Sequence, residues 1–219
     1  MTVSLVSAGS VAAGSTSVTP SFGASTTSGN LLVAFVMSND SDSGEGGFIA
    51  VSDETWWLAY SGGAPYNWAA IWYKKDCGSG ETAPTFSDGG PNSYVVAQLA
   101  EFSGCANSEV DAKGGGWGFP SSTTADGRDA AAGDLIVGMG VWNGGNAVTG
   151  MAAQITGSQG GNLTTNTLAS NSSSTPPQFI TAYAIGDSTL GSDADTFAGS
   201  FSTGSDNTPV NLIASFKAA

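Results

Sequence analysis

Ser28-Gly29-Asn30-Leu31-Leu32-Val33-Ala34-Phe35-Val36 returns in altered form as Ala132-Gly133-Asp134-Leu135-Ile136-Val137-Gly138-Met139-Gly140. Each stretch begins with a turn-forming Gly and a short polar residue, then runs into apolar side chains. A short apolar run bounded by Gly, Asn, Asp or Pro is the pattern of a buried strand. Two more matched pairs follow in the same order. Trp68-Ala69-Ala70-Ile71-Trp72-Tyr73 is answered by Phe179-Ile180-Thr181-Ala182-Tyr183, and Tyr94-Val95-Val96-Ala97-Gln98-Leu99-Ala100-Glu101-Phe102 by Pro209-Val210-Asn211-Leu212-Ile213-Ala214-Ser215-Phe216. The first pair lies 133 − 29 = 104 residues apart, too long a period for a solenoid. The predicted fold is all-β: a two-sheet antiparallel β-sandwich forming one domain over 1–219, built from two pseudo-repeated halves, about 1–104 and 105–219.

The chain of 219 residues has the size of one large β domain. Hydrophobic residues make up 40%, enough for a real core, whereas charged residues make up only 11% against roughly 25% in ordinary globular domains. Ser, Thr, Asn and 32 glycines serve the surface and turns instead. With only 5 Lys and Arg, ion-paired surface helices cannot be common, so little helix is expected. A net charge of −13 offers no means of neutralising phosphates. It argues against nucleic acid and against an anionic membrane as partners. The charge suits plain solubility, contact with a neutral or basic surface, or monodispersity at high local density. No stretch approaches the ~18 apolar residues that span a bilayer. Met1-Thr2-Val3-Ser4-Leu5-Val6 lacks the basic and apolar segments of a secretory leader, so cytoplasmic synthesis without export by that route is expected. Cys77 and Cys105 follow predicted strand ends, and free thiols are expected in that compartment.

Strands are predicted at Val3–Val6, Ser17–Thr19, Leu31–Met37, Glu54–Tyr60, Trp68–Lys75, Thr82–Phe86 and Tyr94–Phe102. In the second half they are predicted at Asp134–Trp142, Ala152–Thr156, Phe179–Ile185, Thr196–Phe201 and Val210–Phe216. Leu31–Met37 shows no polar alternation, so both of its faces should be covered or one should lie deep. Trp68, Ala70 and Trp72 share one face by period-two alternation. Pro84 marks Thr82–Phe86 as an edge-type strand. Gly104 to Gly118, with Gly114-Gly115-Gly116, reads as the crossover loop between halves, and Gly157 to Pro177 as a low-complexity surface loop.

The chain contains no histidine, which removes Ser-His-Asp and Cys-His catalysis and the commonest metal ligand. Two cysteines without histidine make no convincing zinc site. Carboxylate chemistry remains. Glu54, Glu81 and Glu101 lie in or beside predicted strands, and Glu101 interrupts an apolar one; alternation turns its side chain to solvent. Trp56, Trp57, Trp68 and Trp72 offer rings for a sugar groove, although packing a sandwich core is the commoner use of such bulk. Asn39-Asp40-Ser41-Asp42-Ser43-Gly44-Glu45 gathers oxygen ligands but departs from the EF-hand register, since Val51 stands at the twelfth position. Asp187, Asp193 and Asp195 form a second acidic loop. Solvated acidic loops are the expectation at both. The glycine triplet has no following Lys-Ser/Thr pair and so is no phosphate cradle. No cofactor and no metal is expected.

The succession of Gly29 to Val33, Trp56-Trp57, Ala69 to Lys75 ending in Lys-Lys, Thr82-Ala83-Pro84-Thr85-Phe86, and Val95 to Gly104 ending in Glu-Phe-Ser-Gly resembles β-sandwich proteins common in tailed-phage virions. The resemblance covers almost the whole chain, because the second half echoes the first. It implies a jelly-roll-like fold and a structural role of the capsid-decoration, head-fibre or tail-associated type. It implies no catalytic residue.

Three functional expectations follow. The first is a non-enzymatic virion protein that decorates the capsid, made in the host cytoplasm. Its partners would be the major capsid protein or other virion proteins, and it would form a homo-oligomer such as a trimer. The second is a tail-associated carbohydrate- or receptor-binding module that uses Trp117, Trp142 and Tyr66, each beside Gly-rich sequence, with a glycan as partner. The third is a glycan hydrolase using Glu54 and Glu101, which requires two carboxyls about 5–10 Å apart in a cleft.

Overall fold

The computed structural model describes residues 2–40, 49–64, 67–90, 93–105, 110–117, 122–124, 131–142, 149–156, 163–171, 178–187, 196–202 and 210–219. Among the described residues there is no helix, and the chain forms seventeen strands. The first half supplies β1 (Ser4–Ala8), β2 (Ala12–Gly14), β3 (Ser17–Val18), β4 (Leu31–Asp40), β5 (Ala50–Val51), β6 (Trp57–Ala64), β7 (Asn67–Lys74), β8 (Phe86–Ser87) and β9 (Ser93–Ser103). The second supplies β10 (Ala112–Trp117), β11 (Ser122–Thr124), β12 (Leu135–Trp142), β13 (Thr149–Thr156), β14 (Asn166–Asn171), β15 (Gln178–Ile185), β16 (Thr196–Ser202) and β17 (Val210–Phe216).

Each half builds one large and one small antiparallel sheet from its own strands. The first large sheet runs β1-β9-β4-β7-β6, with β2 also on β9, and its small sheet runs β3-β8-β5. The second half repeats both orders strand for strand: β10-β17-β12-β15-β14, and β11-β16-β13. This is the eight-strand order of a jelly roll, except that β6 and β14 extend the large sheet instead of the small one. The all-β antiparallel sandwich is therefore present, with a small sheet added outside each of its two large layers. Backbone also joins the halves near the chain end: Ala219 N donates to Gly104 O at 2.8 Å, beside the bridge of Cys105 with Ala218.

The repeated Gly-Asn/Asp-Leu motif makes one turn twice. Gly29 and Gly133 have φ of 88° and 101°, a region that L side chains avoid. Gly29 N donates to Cys77 O at 2.8 Å and Cys77 N to Asn30 O at 3.1 Å. In the second half Gly133 N donates to Gly186 O at 2.9 Å and Gly186 N to Asp134 O at 2.8 Å. The motif thus ties the start of β4 and β12 to the chain leaving β7 and β15.

Three dry layers separate the four sheets. The large sheets face each other through Leu31, Val33, Phe35 and Ile71 on one side and Leu135, Val137, Leu212 and Phe216 on the other. The outer face of the first large sheet, with Leu32, Ala34 and Val36, packs on Val18 and Phe86 of its small sheet. The outer face of the second, with Ile136 and Ile213, packs on Ile155. Strands buried on both faces carry unbroken apolar runs, which explains the missing alternation in Leu31–Met37. Each fully buried Leu, Ile or Phe in these layers contributes about 1.5–3 kcal/mol.

Four expectations about elements need correction. Gly114-Gly115-Gly116 is no loop: it lies in β10, paired with β17. A Cβ on Gly115 would collide with the ring of Tyr60 from the other half, so glycine serves close approach there. The predicted surface loop from Gly157 to Pro177 contains β14, a six-residue strand on β15. Only Phe86 of the predicted strand Thr82–Phe86 is strand, and β8 is the middle of its sheet, not an edge. Glu54 and Thr55 form a turn, so β6 begins at Trp57 and runs on to Ala64.

Candidate functional site

β5 is two residues long, whereas its counterpart β13 has eight. In the second half β13 lies against β15, and the outer face of that strand is shut: Gln178 and Ala182 are both 0% exposed. Among the described residues, the short β5 does not cover the matching strip over β7 and β6. A slot of about 250 Å³ results, lined by Ile49 ahead of β5, Leu58 and Ser61 on β6, and Trp68, Ala70 and Trp72 on β7. Period-two alternation does place Trp68, Ala70 and Trp72 on one face. Among the described residues no charged side chain lines the slot, and Ser61 contributes a hydroxyl.

The Trp68 ring has a defined pose. A Cβ added to Gly63 on β6 would come within 2.7 Å of Trp68 Cδ2 and 2.8 Å of Cε2. Those two atoms form the fused bond of the indole, which can be approached so closely only through a ring face. Trp68 therefore lies with one ring face over Gly63. Trp72 closes the far end with its Nε1 buried and without a hydrogen-bond partner. Leu58 stands at the rim, 44% exposed.

The other two tryptophans of this region do different work. Trp56 is buried and meets Phe86 edge-on at 6.2 Å. Trp57 lies half-exposed against Tyr73 at 5.8 Å, with Lys75 Nζ 5.3 Å above its ring. Core packing and an open slot thus divide the four rings between them.

The carboxylates are placed otherwise than alternation suggests. Glu101 does not face solvent: it is 0% exposed, because β9 is an interior strand of a sheet covered on both sides. Its Oε1 accepts from Thr27 N at 2.8 Å and from Asn30 Nδ2 at 2.6 Å, while its Oε2 is buried without a partner. Glu81 is engaged by Lys74 Nζ at 2.8 Å and by Gly78 N at 2.6 Å. Lys74 also reaches Asp53 at 3.6 Å. Glu54 sits exposed in its turn. A substrate that reached Glu54 would find Glu101 sealed inside the protein, so these two do not form the cleft pair a glycosidase needs.

Trp117 and Trp142 end β10 and β12, and register brings them to the same end of the second large sheet: Trp117 pairs with Val210, Val210 with Val141, and Trp142 with Gln178. Their side chains, and Tyr66 entirely, lie outside the described residues. So do residues 41–48 of the first acidic loop and Asp193 and Asp195 of the second. Among the described residues no group of three or more His, Cys, Asp or Glu is placed to hold a metal ion. Cys77 and Cys105 are free and buried.

The slot is the feature that sequence reasoning missed. One signal pointed to it: Trp68 and Trp72 occupy positions that the repeat fills with Gln178 and Ala182. Comparison with protein-family models, with curated proteins and with solved structures finds no match to the chain.

Proposed function

We propose that the chain is a non-enzymatic structural protein of a phage virion, one that decorates the outer surface of the capsid by binding the major capsid protein. The observation that carries this reading is the construction of the body. Two jelly rolls of one strand order are fastened face to face through large sheets buried on both sides. Close-packed layers of this kind deform little, which suits a part that must match a symmetric lattice. Repetition over many equivalent positions makes a modest single contact sufficient. The ionisable groups support the same reading, since Glu101 is sealed and Glu81 is committed to Lys74. The net charge of −13 keeps crowded copies apart. Quantitative mass spectrometry of purified particles tests it. Stoichiometric copies in virions are expected, and absence from them ends the proposal.

A second reading, a tail-associated receptor-binding module, draws support from the Trp68–Trp72 slot. Antibody-labelled particles seen by electron microscopy separate the two: label over the capsid shell favours decoration, and label at the tail tip favours receptor binding.

A further inference from the structure

We infer that the flank formed by β1 and β14 is a self-association surface, through which one copy of this chain docks on a second. The inference stands apart from the virion role and needs no particle to test it. Charge singles out the flank. The chain carries 18 acidic and 5 basic side chains, yet none lies in residues 1–39 or 135–186. The first stretch supplies β1 and β2, and the second supplies β14 and β15. The fold brings these strands to one side. Phe102 of β9 meets Tyr183 of β15 across the central layer, and Thr181 of β15 donates to Gln98 of β9. β1 lies beyond β9 at the end of one large sheet, and β14 lies beyond β15 at the end of the other. Residues 157–162 and 172–177, which precede and follow β14 in the chain, are uncharged as well. Glu101, the charged residue of β9, is sealed. Among the described side chains, the charges that stand exposed are Glu54 ahead of β6, Asp76 after β7, Lys113 in β10, Asp187 beyond the end of β15 and Lys217 after β17.

Edges and distance select a second copy as the occupant. Among the described residues β1 pairs only with β9 and β14 only with β15, so each presents an outer edge. Neither Ser4–Ala8 nor Asn166–Asn171 contains the Lys, Glu or Pro that commonly guards such an edge. Val6 bulges from the register of β1 and is 44% exposed, and Val11 ahead of β2 is 38% exposed. Asn166, Thr167 and Ser170 of β14 are exposed beside them at the same flank. Two copies of one acidic chain repel wherever their charged regions meet. With flank against flank those regions are held apart. The Lys74, Glu81 and Asp53 group at β7 stands three strands in from β1, about 14 Å at the usual strand spacing. That exceeds the Debye length of about 8 Å at physiological ionic strength, so salt screens the repulsion that remains. A strongly charged partner finds no counter-charge on β1 or β14, whereas an identical flank offers the same uncharged Ser, Thr, Asn and Val side chains.

Sedimentation equilibrium of the full chain, over about 1–500 µM at physiological salt, tests the inference. A mass that rises with concentration above the 21.7 kDa of one chain is expected. Val6→Glu and Thr167→Glu each place a charge on the flank, one at each edge. Each is expected to weaken association by about tenfold or more, with part of the loss restored at about 1 M salt, where the Debye length falls to about 3 Å. Ser79→Glu, at an exposed position between β7 and β8, is the control and is expected to leave association within about twofold of the wild type. Should Val6→Glu fail to fold, as read by circular dichroism, Val11→Glu replaces it on the same side of β9. The inference is overturned by a chain that stays monomeric over the whole range, by association that neither flank variant weakens, or by a loss as large with Ser79→Glu as with the flank variants.

Discussion

Tyr73 of β7 meets Phe216 of β17 edge-on, with ring centres 5.3 Å apart and planes at 60°. The repeat makes the same contact with the roles of the halves exchanged. Tyr183, which matches Tyr73, meets Phe102, which matches Phe216, at 5.3 Å and 66°. The halves are therefore related by a pseudo-two-fold axis, like two subunits across an isologous interface. Both phenylalanines lie in the central layer, 0% and 1% exposed. Truncating either to alanine removes a buried ring and leaves a cavity, at a cost of about 3–5 kcal/mol. Phe102→Ala and Phe216→Ala are expected to lower stability in urea by similar amounts. A large cost at one position and a negligible one at the other would show that the two contacts are not mates.

The same axis carries a polar exception. Thr181 Oγ1 donates to Gln98 Oε1 at 2.6 Å across the central layer, and Gln98 Nε2 donates to Gly9 O at 3.2 Å. At the mate positions stand Ile71 and Leu212, both 0% exposed. Breaking the polar pair from one side leaves a buried group without its partner, worth about 1–3 kcal/mol, whereas replacing both partners by apolar groups can be nearly neutral. Thr181→Ile and Gln98→Leu are each expected to destabilise in denaturant unfolding. The double variant Gln98→Leu/Thr181→Ile, which copies the other side, is expected to lose less than the sum of the two single losses. Additive losses would mean that the two side chains are energetically independent.

The doubled strands were legible because strands buried on both faces leave a run with no polar break, as in Leu31–Met37, and because Gly29 and Gly133 mark turns that need positive φ. β10 was not legible: a glycine triplet signals a loop unless one knows that Tyr60 presses on Gly115 from 55 residues earlier in the chain, 115 − 60 = 55. β5 and β8, at two residues each, are too short for any periodicity. Glu101 was misread because alternation presumes one wet face, and β9 has none. The slot depends on the length of β5 relative to β13, a tertiary property; its aromatic walls were visible in the sequence, but their openness was not.

The two thiols are expected to be inert in the native protein. Burial, with Asp134 nearby, pushes the Cys105 thiol up to about 12. Burial also raises Cys77, against the backbone hydrogen bond from Asn30 that lowers it; its Sγ donates to Thr27 O at 3.0 Å. Since the thiolate is the reactive form, iodoacetamide at pH 8 should modify neither cysteine until denaturant is added, and then both. Intact-mass measurement reads the result. Rapid alkylation of Cys105 in the folded protein would contradict its burial.

The Lys74 cluster sets an acid limb to stability. Lys74 and Glu81 are 13% and 19% exposed, so water screens their contact only in part. The Lys74 hydrogen bond holds Glu81 below the usual carboxylate range against the opposing effect of burial, with the Gly78 N–H assisting. Asp53 is also held low, first by the Thr55 hydroxyl and backbone N–H. For Lys74, burial works against the charge, but Glu81 and Asp53 outweigh it and raise its pKa. Lowered carboxylates stabilise the fold above their ordinary values of about 4, and this is lost as pH falls through the folded values; the raised lysine stabilises below its ordinary value of about 10 and fails as pH rises past the folded one. The cluster is thus fully effective between those limits. Glu81→Gln keeps an acceptor for Gly78 but removes the charge, and is expected to cost about 1 kcal/mol at pH 7. That cost should shrink as pH falls below the ordinary carboxylate value of about 4 and on through the lowered folded value, because the wild-type carboxylate then takes up its proton as well. A difference that stays constant across this range, measured by urea unfolding at each pH, would show that Glu81 stabilises the fold through its shape and hydrogen bonds and not through its charge.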